Sequence, residues 1–75
     1  MNKISPLASV SPSAILGDNI EIGPFAFIDD DVEIGYGCKI FPHATVFQYV
    51  KMGENCQIYP GAVVGAVPQD LKFHG

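Results

Sequence analysis

The sequence predicts an all-β fold, a parallel solenoid of about four triangular coils, and three observations predict it. An aliphatic residue or Met recurs at every sixth position. The position two before each later one is small or aliphatic. Glycine and proline gather in the gaps between these pairs, where a chain that turns every six residues needs corners.

The stations of the repeat are Ile4, Val10, Leu16, Ile22, Ile28, Ile34, Ile40, Val46, Met52, Ile58 and Val64. The companion positions are Ala8, Ala14, Ile20, Ala26, Val32, Cys38, Ala44, Val50, Cys56 and Ala62, with Ile4 alone at the start. Two inward residues at i and i−2 are the period-two signature of a strand. A helix would need period 3.6, which this pattern does not supply. Six residues therefore make one short strand and one tight corner. Glycine follows five stations, at Gly17, Gly23, Gly35, Gly53 and Gly65, where it is expected to supply the positive φ of a corner. Pro6, Pro12, Pro24, Pro42 and Pro60 stand beside other corners. One rung cannot bury its apolar side alone, so stacked rungs must share a core.

A period of six allows coils of twelve or eighteen residues, and the charges choose between them. Glu21, Glu33, Lys39 and Lys51 share one phase of the hexad. Twelve would stack Glu on Glu and Lys on Lys, whereas eighteen stacks Glu21 on Lys39 and Glu33 on Lys51. Opposite charges on adjacent strands help by roughly 0.2–1 kcal/mol and like charges cost something similar. The expected coils are 4–21, 22–39, 40–57 and 58–75.

Composition bounds what such a chain does. Its 75 residues make at most one small domain, 48% hydrophobic and only 16% charged. That excludes a disordered charged tail. With Lys+Arg 4 against Asp+Glu 8 and a net charge of −4, the basic face of a nucleic-acid binder is missing. The N-terminus lacks the apolar run of a signal peptide. The longest mostly apolar stretch, 61–67, is too short to span a bilayer. Two cysteines form no disulfide framework and no Cys-x-x-Cys motif, which fits a reduced, cytoplasmic setting.

The repeat breaks after Val64. The next station would be Asp70 and its companion Pro68. An Asp aimed into the core is costly, so an external loop is expected over about 66–75. Loops on a rigid scaffold often carry function. A plain surface loop or a frayed end is the competing reading.

These residues resemble a known group. The hexads are similar to those of the left-handed parallel β-helix acyltransferases. The segment Pro68-Gln69-Asp70-Leu71-Lys72-Phe73-His74-Gly75, following Ile58-Tyr59-Pro60-Gly61-Ala62, resembles the loop of the acyl-carrier-protein–UDP-N-acetylglucosamine O-acyltransferases of lipid A synthesis. The hexads are shared by many acetyl-, acyl- and succinyltransferases, and the Gln-Asp-Leu-Lys loop is the more specific part. The resemblance implies a left-handed coil, a homotrimer with active sites between subunits, and acyl carrier protein and UDP-N-acetylglucosamine as partners. It places Gln69, Asp70 and Lys72 near the UDP-sugar. Their chemistry suits that role: Asp70 accepts bonds from hydroxyls or amide, Lys72 offers a compact cation to a pyrophosphate, and Gln69 both donates and accepts. The resemblance puts the general base, a His, on a later coil beyond residue 75. No catalytic residue, metal ligand or cofactor is therefore expected in this chain, which reads as the N-terminal part of such an enzyme. The alternative is a β-solenoid scaffold or polymerising protein without catalysis. A related N-acyltransferase or sugar-nucleotide acetyltransferase is disfavoured by the Gln-Asp-Leu-Lys loop.

Other residues compete for roles. His43 is expected to face solvent or a subunit interface, and His74 lies in the loop with no assigned role. With two histidines in all, the three-His zinc site of the γ-class carbonic anhydrases has no match. Cys38 and Cys56, eighteen apart, are expected to stack about 4.8 Å apart as buried free thiols, a spacing that does not exclude a disulfide. Phe41, Tyr59 and Phe47 are expected to point outward, as a trimer contact or as scattered surface aromatics. Asp29-Asp30-Asp31 with Glu33 reads as a solvated acidic corner, with a cation or a basic carrier protein as the alternative.

Overall fold

The computed structural model describes residues 1–65. They form eleven strands of two residues each: β1 (Lys3–Ile4), β2 (Ser9–Val10), β3 (Ile15–Leu16), β4 (Glu21–Ile22), β5 (Phe27–Ile28), β6 (Glu33–Ile34), β7 (Lys39–Ile40), β8 (Thr45–Val46), β9 (Lys51–Met52), β10 (Gln57–Ile58) and β11 (Val63–Val64). Each strand ends on a station of the repeat. No helix occurs among the described residues.

Every pairing is parallel and joins residues eighteen apart, as Lys3 with Glu21 and Ile22 with Ile40. The chain therefore winds around a triangular prism. A first face carries β1, β4, β7 and β10, a second β2, β5, β8 and β11, and a third β3, β6 and β9. Eleven strands at three per turn give somewhat over three and a half turns in the described residues. The winding is left-handed, so the fold is a left-handed parallel β-helix. The usual right-handed crossover arises from a long connection packing back onto its sheet, and four-residue corners impose no such packing.

From β1 to β8 the N–H of the strand's first residue donates to the turn that follows, as Lys3 to the Ile20 carbonyl at 2.8 Å and Glu21 to the Cys38 carbonyl at 3.0 Å. The interior holds only the two inward slots of the hexad. Ile20, Ile22, Ala26, Ile28, Val32, Ile34, Cys38, Ile40, Ala44 and Val46 are at most 3% exposed, and among the described residues no polar or charged one joins them. Val10, Leu16, Met52 and Ile58 close the core above and below with partial burial.

The corners correct one expectation. The glycine after the station does not supply the positive φ, except at Gly65. Left-handed backbone falls two residues later, at Asn19, Phe25, Asp31, Gly37, His43, Tyr49, Asn55 and Gly61. At several corners the reason is a hydrogen bond. There the N–H turns back to the corner of the preceding turn, as Asn55 to the Tyr36 carbonyl at 2.8 Å and His43 to the Pro24 carbonyl at 3.2 Å. Asn and Asp tolerate this conformation, but for Phe25, His43 and Tyr49 it costs about 1–3 kcal/mol each. Phe25 and His43 offset part of that by stacking, with ring centroids 5.2 Å apart.

The glycines after the station answer instead to close approach. Gly17, Gly35 and Gly53 stack along the corner that joins the third face to the first. A Cβ on Gly35 would lie 2.6 Å from the Gly53 carbonyl oxygen, and one on Gly17 3.0 Å from the Tyr36 nitrogen.

Candidate functional site

The expected sugar-nucleotide residues Gln69, Asp70 and Lys72, with His74, lie outside the described residues. What the structure supplies is the platform that leads to them. The second face ends in β11, paired in register with β8 through Val63–Thr45 and Val64–Val46. The next residue, Gly65, departs from the repeat. It has φ +84° where every other glycine after a station keeps negative φ. A Cβ there would collide with the Val50 side chain and would stand 3.5 Å from the Phe47 Cβ. Glycine is thus required at the residue where the hexad register is about to fail. The sequence reading took Gly65 for an ordinary corner. The signal that separates it from the others is its place immediately before the break.

The histidine expected to face outward does so. His43 is exposed, stacked on Phe25, on the corner between the first and second faces. Among the described residues no three His, Cys, Asp or Glu side chains converge in a way that would hold a metal ion. The acidic corner is tied to its neighbours rather than splayed. Ser11 donates to Asp30 Oδ1 at 2.5 Å, and Asp31 N–H donates to Ser13 Oγ at 2.9 Å.

The outward charges stack as the eighteen-residue coil requires, Glu21 beside Lys39 and Glu33 beside Lys51. Only the second pair approaches an ion pair, with Lys51 Nζ 3.8 Å from Glu33 Oε2 on an exposed surface. Next to the first pair, a groove of about 460 Å³ runs along the first face, lined among others by Lys3, Glu21, Lys39, Phe41, Pro24 and Pro42. Phe41, on its wall, meets Tyr59 of the next turn with ring centroids 5.3 Å apart and the ring planes tilted by 53°. Tyr59 is 61% exposed, while Phe41 and Phe47 are half-buried, so the aromatics point less freely outward than the sequence suggested.

Cys38 is fully buried, Cys56 half-buried, and both are free thiols. Burial pushes the Cys38 thiol above its ordinary range. The neighbouring Cys56 acts both ways, its backbone hydrogen bond opposing the rise and its thiol adding to it, and Cys38 Sγ donates to the Gly53 carbonyl oxygen at 3.0 Å.

Taken together, the eighteen-residue coil, two inward slots per face and the left-handed winding define a hexapeptide-repeat β-helix protein, a scaffold that acyltransferases use. Within that class the resemblance seen in the sequence is found among solved structures. The chain is similar to UDP-N-acetylglucosamine acyltransferase from Arabidopsis, at 42% identity and a TM-score of 0.81 over 83% of its length. It spans about a fifth of that protein, 22% of its chain. A point mutant of perosamine N-acetyltransferase from Caulobacter crescentus, solved with CoA and GDP-perosamine, also matches, at 27% identity and a TM-score of 0.43 over 87% of this chain and 42% of that one. No family model and no curated protein matches the chain.

Proposed function

We propose that this chain is part of an acyltransferase that moves a 3-hydroxyacyl group from acyl carrier protein to the 3-hydroxyl of UDP-N-acetylglucosamine, the first step of lipid A synthesis. The observation that carries the proposal is the 42% identity, held over 83% of the chain at a TM-score of 0.81, to an enzyme named for UDP-N-acetylglucosamine. The Gln69-Asp70-Leu71-Lys72 segment supports it, because a carboxylate, an amide and a cation in one short loop match the hydroxyls and pyrophosphate of a nucleotide sugar. In this reading residues 66–75 form an external loop of a single β-helical segment, with Gly65 as the turn that releases it.

The reaction is an attack of the sugar hydroxyl on the acyl thioester, with a His base removing the proton. The carbon–oxygen ester bond forms, the carbon–sulfur bond breaks, and the carrier leaves as a thiol. This chain's share is to hold the sugar nucleotide. It would work in the cytoplasm as a homotrimer. The corner between the first and second faces supports the trimer, because it gathers Phe25, Phe41 and Tyr59 on one edge of the prism.

The test is made in the complete enzyme. Asp70→Ala is expected to weaken UDP-N-acetylglucosamine binding by at least tenfold in calorimetry, since a carboxylate that accepts sugar bonds contributes about 1.5–3 kcal/mol. Binding equal to that of the unaltered enzyme would remove Asp70 from the site.

A further inference from the structure

Cys38 and Cys56 occupy the same inward slot on consecutive turns of the first face. Their register is fixed on the next two residues, where Gln57 pairs with Lys39 and Ile58 with Ile40. The Lys39 N–H donates to the Cys56 carbonyl at 2.8 Å, so the backbones at the two cysteines are held one strand spacing apart. That spacing, about 4.8 Å, lies inside the Cα separation a disulfide spans. The two thiols differ in access, Cys38 being sealed in the core and Cys56 reaching the edge of it.

We propose that Cys38 and Cys56 form an oxidation site, in which hydrogen peroxide converts the stacked thiols into a disulfide that ties the second turn of the helix to the third. The half-buried Cys56 reacts first. Its thiolate attacks one peroxide oxygen, a sulfur–oxygen bond forms, the oxygen–oxygen bond breaks, and hydroxide leaves and is protonated to water. Cys38 then gives up its proton and attacks the Cys56 sulfur. The sulfur–sulfur bond forms and the second oxygen departs as water. Two thiols lose two electrons and two protons, and one peroxide becomes two waters. Cys38 suits the second step because its partner sulfur is its neighbour and bulk oxidant cannot reach it. The cross-link closes the 38–56 segment, from which the chain runs on to Gly65. The proposal is independent of the substrate assigned above.

Peptide mapping of the reduced, intact protein tests it, after brief treatment with hydrogen peroxide and without reductant. The expected result is one peptide pair joined through Cys38 and Cys56. The mass falls by about 2 Da for the two hydrogens lost, and dithiothreitol restores it. In the same experiment Cys38→Ser should leave a sulfenic acid on Cys56 that dimedone traps. Oxidation of Cys56 to a sulfinic acid while Cys38 remains alkylatable after unfolding would overturn the proposal. So would cross-links that join separate chains. Both outcomes are read in the unaltered protein, so the test stands even if the serine variant fails to fold.

Discussion

At the scale of single residues, the repeat was legible but the reason for its glycines was not. Every inward slot between Ile20 and Val46 is buried as the hexad demands. The left-handed residues lie three after the station, where the sequence places Asn, Asp, Phe, His and Tyr as readily as Gly. Five of these eight are Asn, Asp or Gly, which tolerate the conformation, whereas at Phe25, His43 and Tyr49 it is held by an N–H bonded to the previous turn, which side-chain preference does not announce. The glycines after the station answer to contact between turns, which a single hexad does not display. Gly35→Ala is therefore expected to destabilise the protein by roughly 1–3 kcal/mol, the usual range for overpacking. Gly17→Ala should cost less, its nearest neighbour being 3.0 Å away against 2.6 Å at Gly35. Urea unfolding of both variants measures the difference. Equal midpoints for Gly35→Ala and the unaltered protein would mean that the backbones separate freely at this corner.

The strands are only two residues long, so stability at the scale of elements comes from stacking rather than from any one strand. The coil length was legible from four charges, and the register Glu21–Lys39 and Glu33–Lys51 is the one found. The strength of those pairs was not legible, since exposed ions set their own side-chain geometry. Glu33 and Lys51 stand 3.8 Å apart with side chains 47% and 76% exposed, so the pair contributes little. Lys51→Glu should cost about 0.2–1 kcal/mol by setting like charges opposite. Adding Glu33→Lys should recover most of it, and high salt should shrink both effects. Thermal melts of the single and double variants in low and high salt measure this. A double variant no more stable than the single one would show that the register, and not the charge pairing, sets the cost.

At the scale of the whole molecule, the fold was legible because every described turn repeats the same two inward slots, while the break of the repeat at Pro68 and Asp70 falls outside the described residues. The candidate site was legible only through resemblance. Gln69, Asp70 and Lys72 lie outside the described residues, and the last described residue, Gly65, has a φ of +84° that breaks the pattern of the other glycines after a station. The described scaffold has no helix long and apolar enough to cross a membrane. Its identity to an acyltransferase extends over most of this chain and about a fifth of that enzyme. Substrate choice is therefore a property to be read in the complete protein. The most direct measurement is acyl transfer by that protein, with 3-hydroxyacyl-acyl carrier protein as donor and UDP-N-acetylglucosamine as acceptor, followed by mass spectrometry of the nucleotide sugar. The expected result is an acceptor that gains one hydroxyacyl group as an alkali-labile ester on its 3-hydroxyl. An acceptor left unchanged, with acetyl transfer from acetyl-CoA to the amine of an amino-sugar nucleotide in its place, would contradict it.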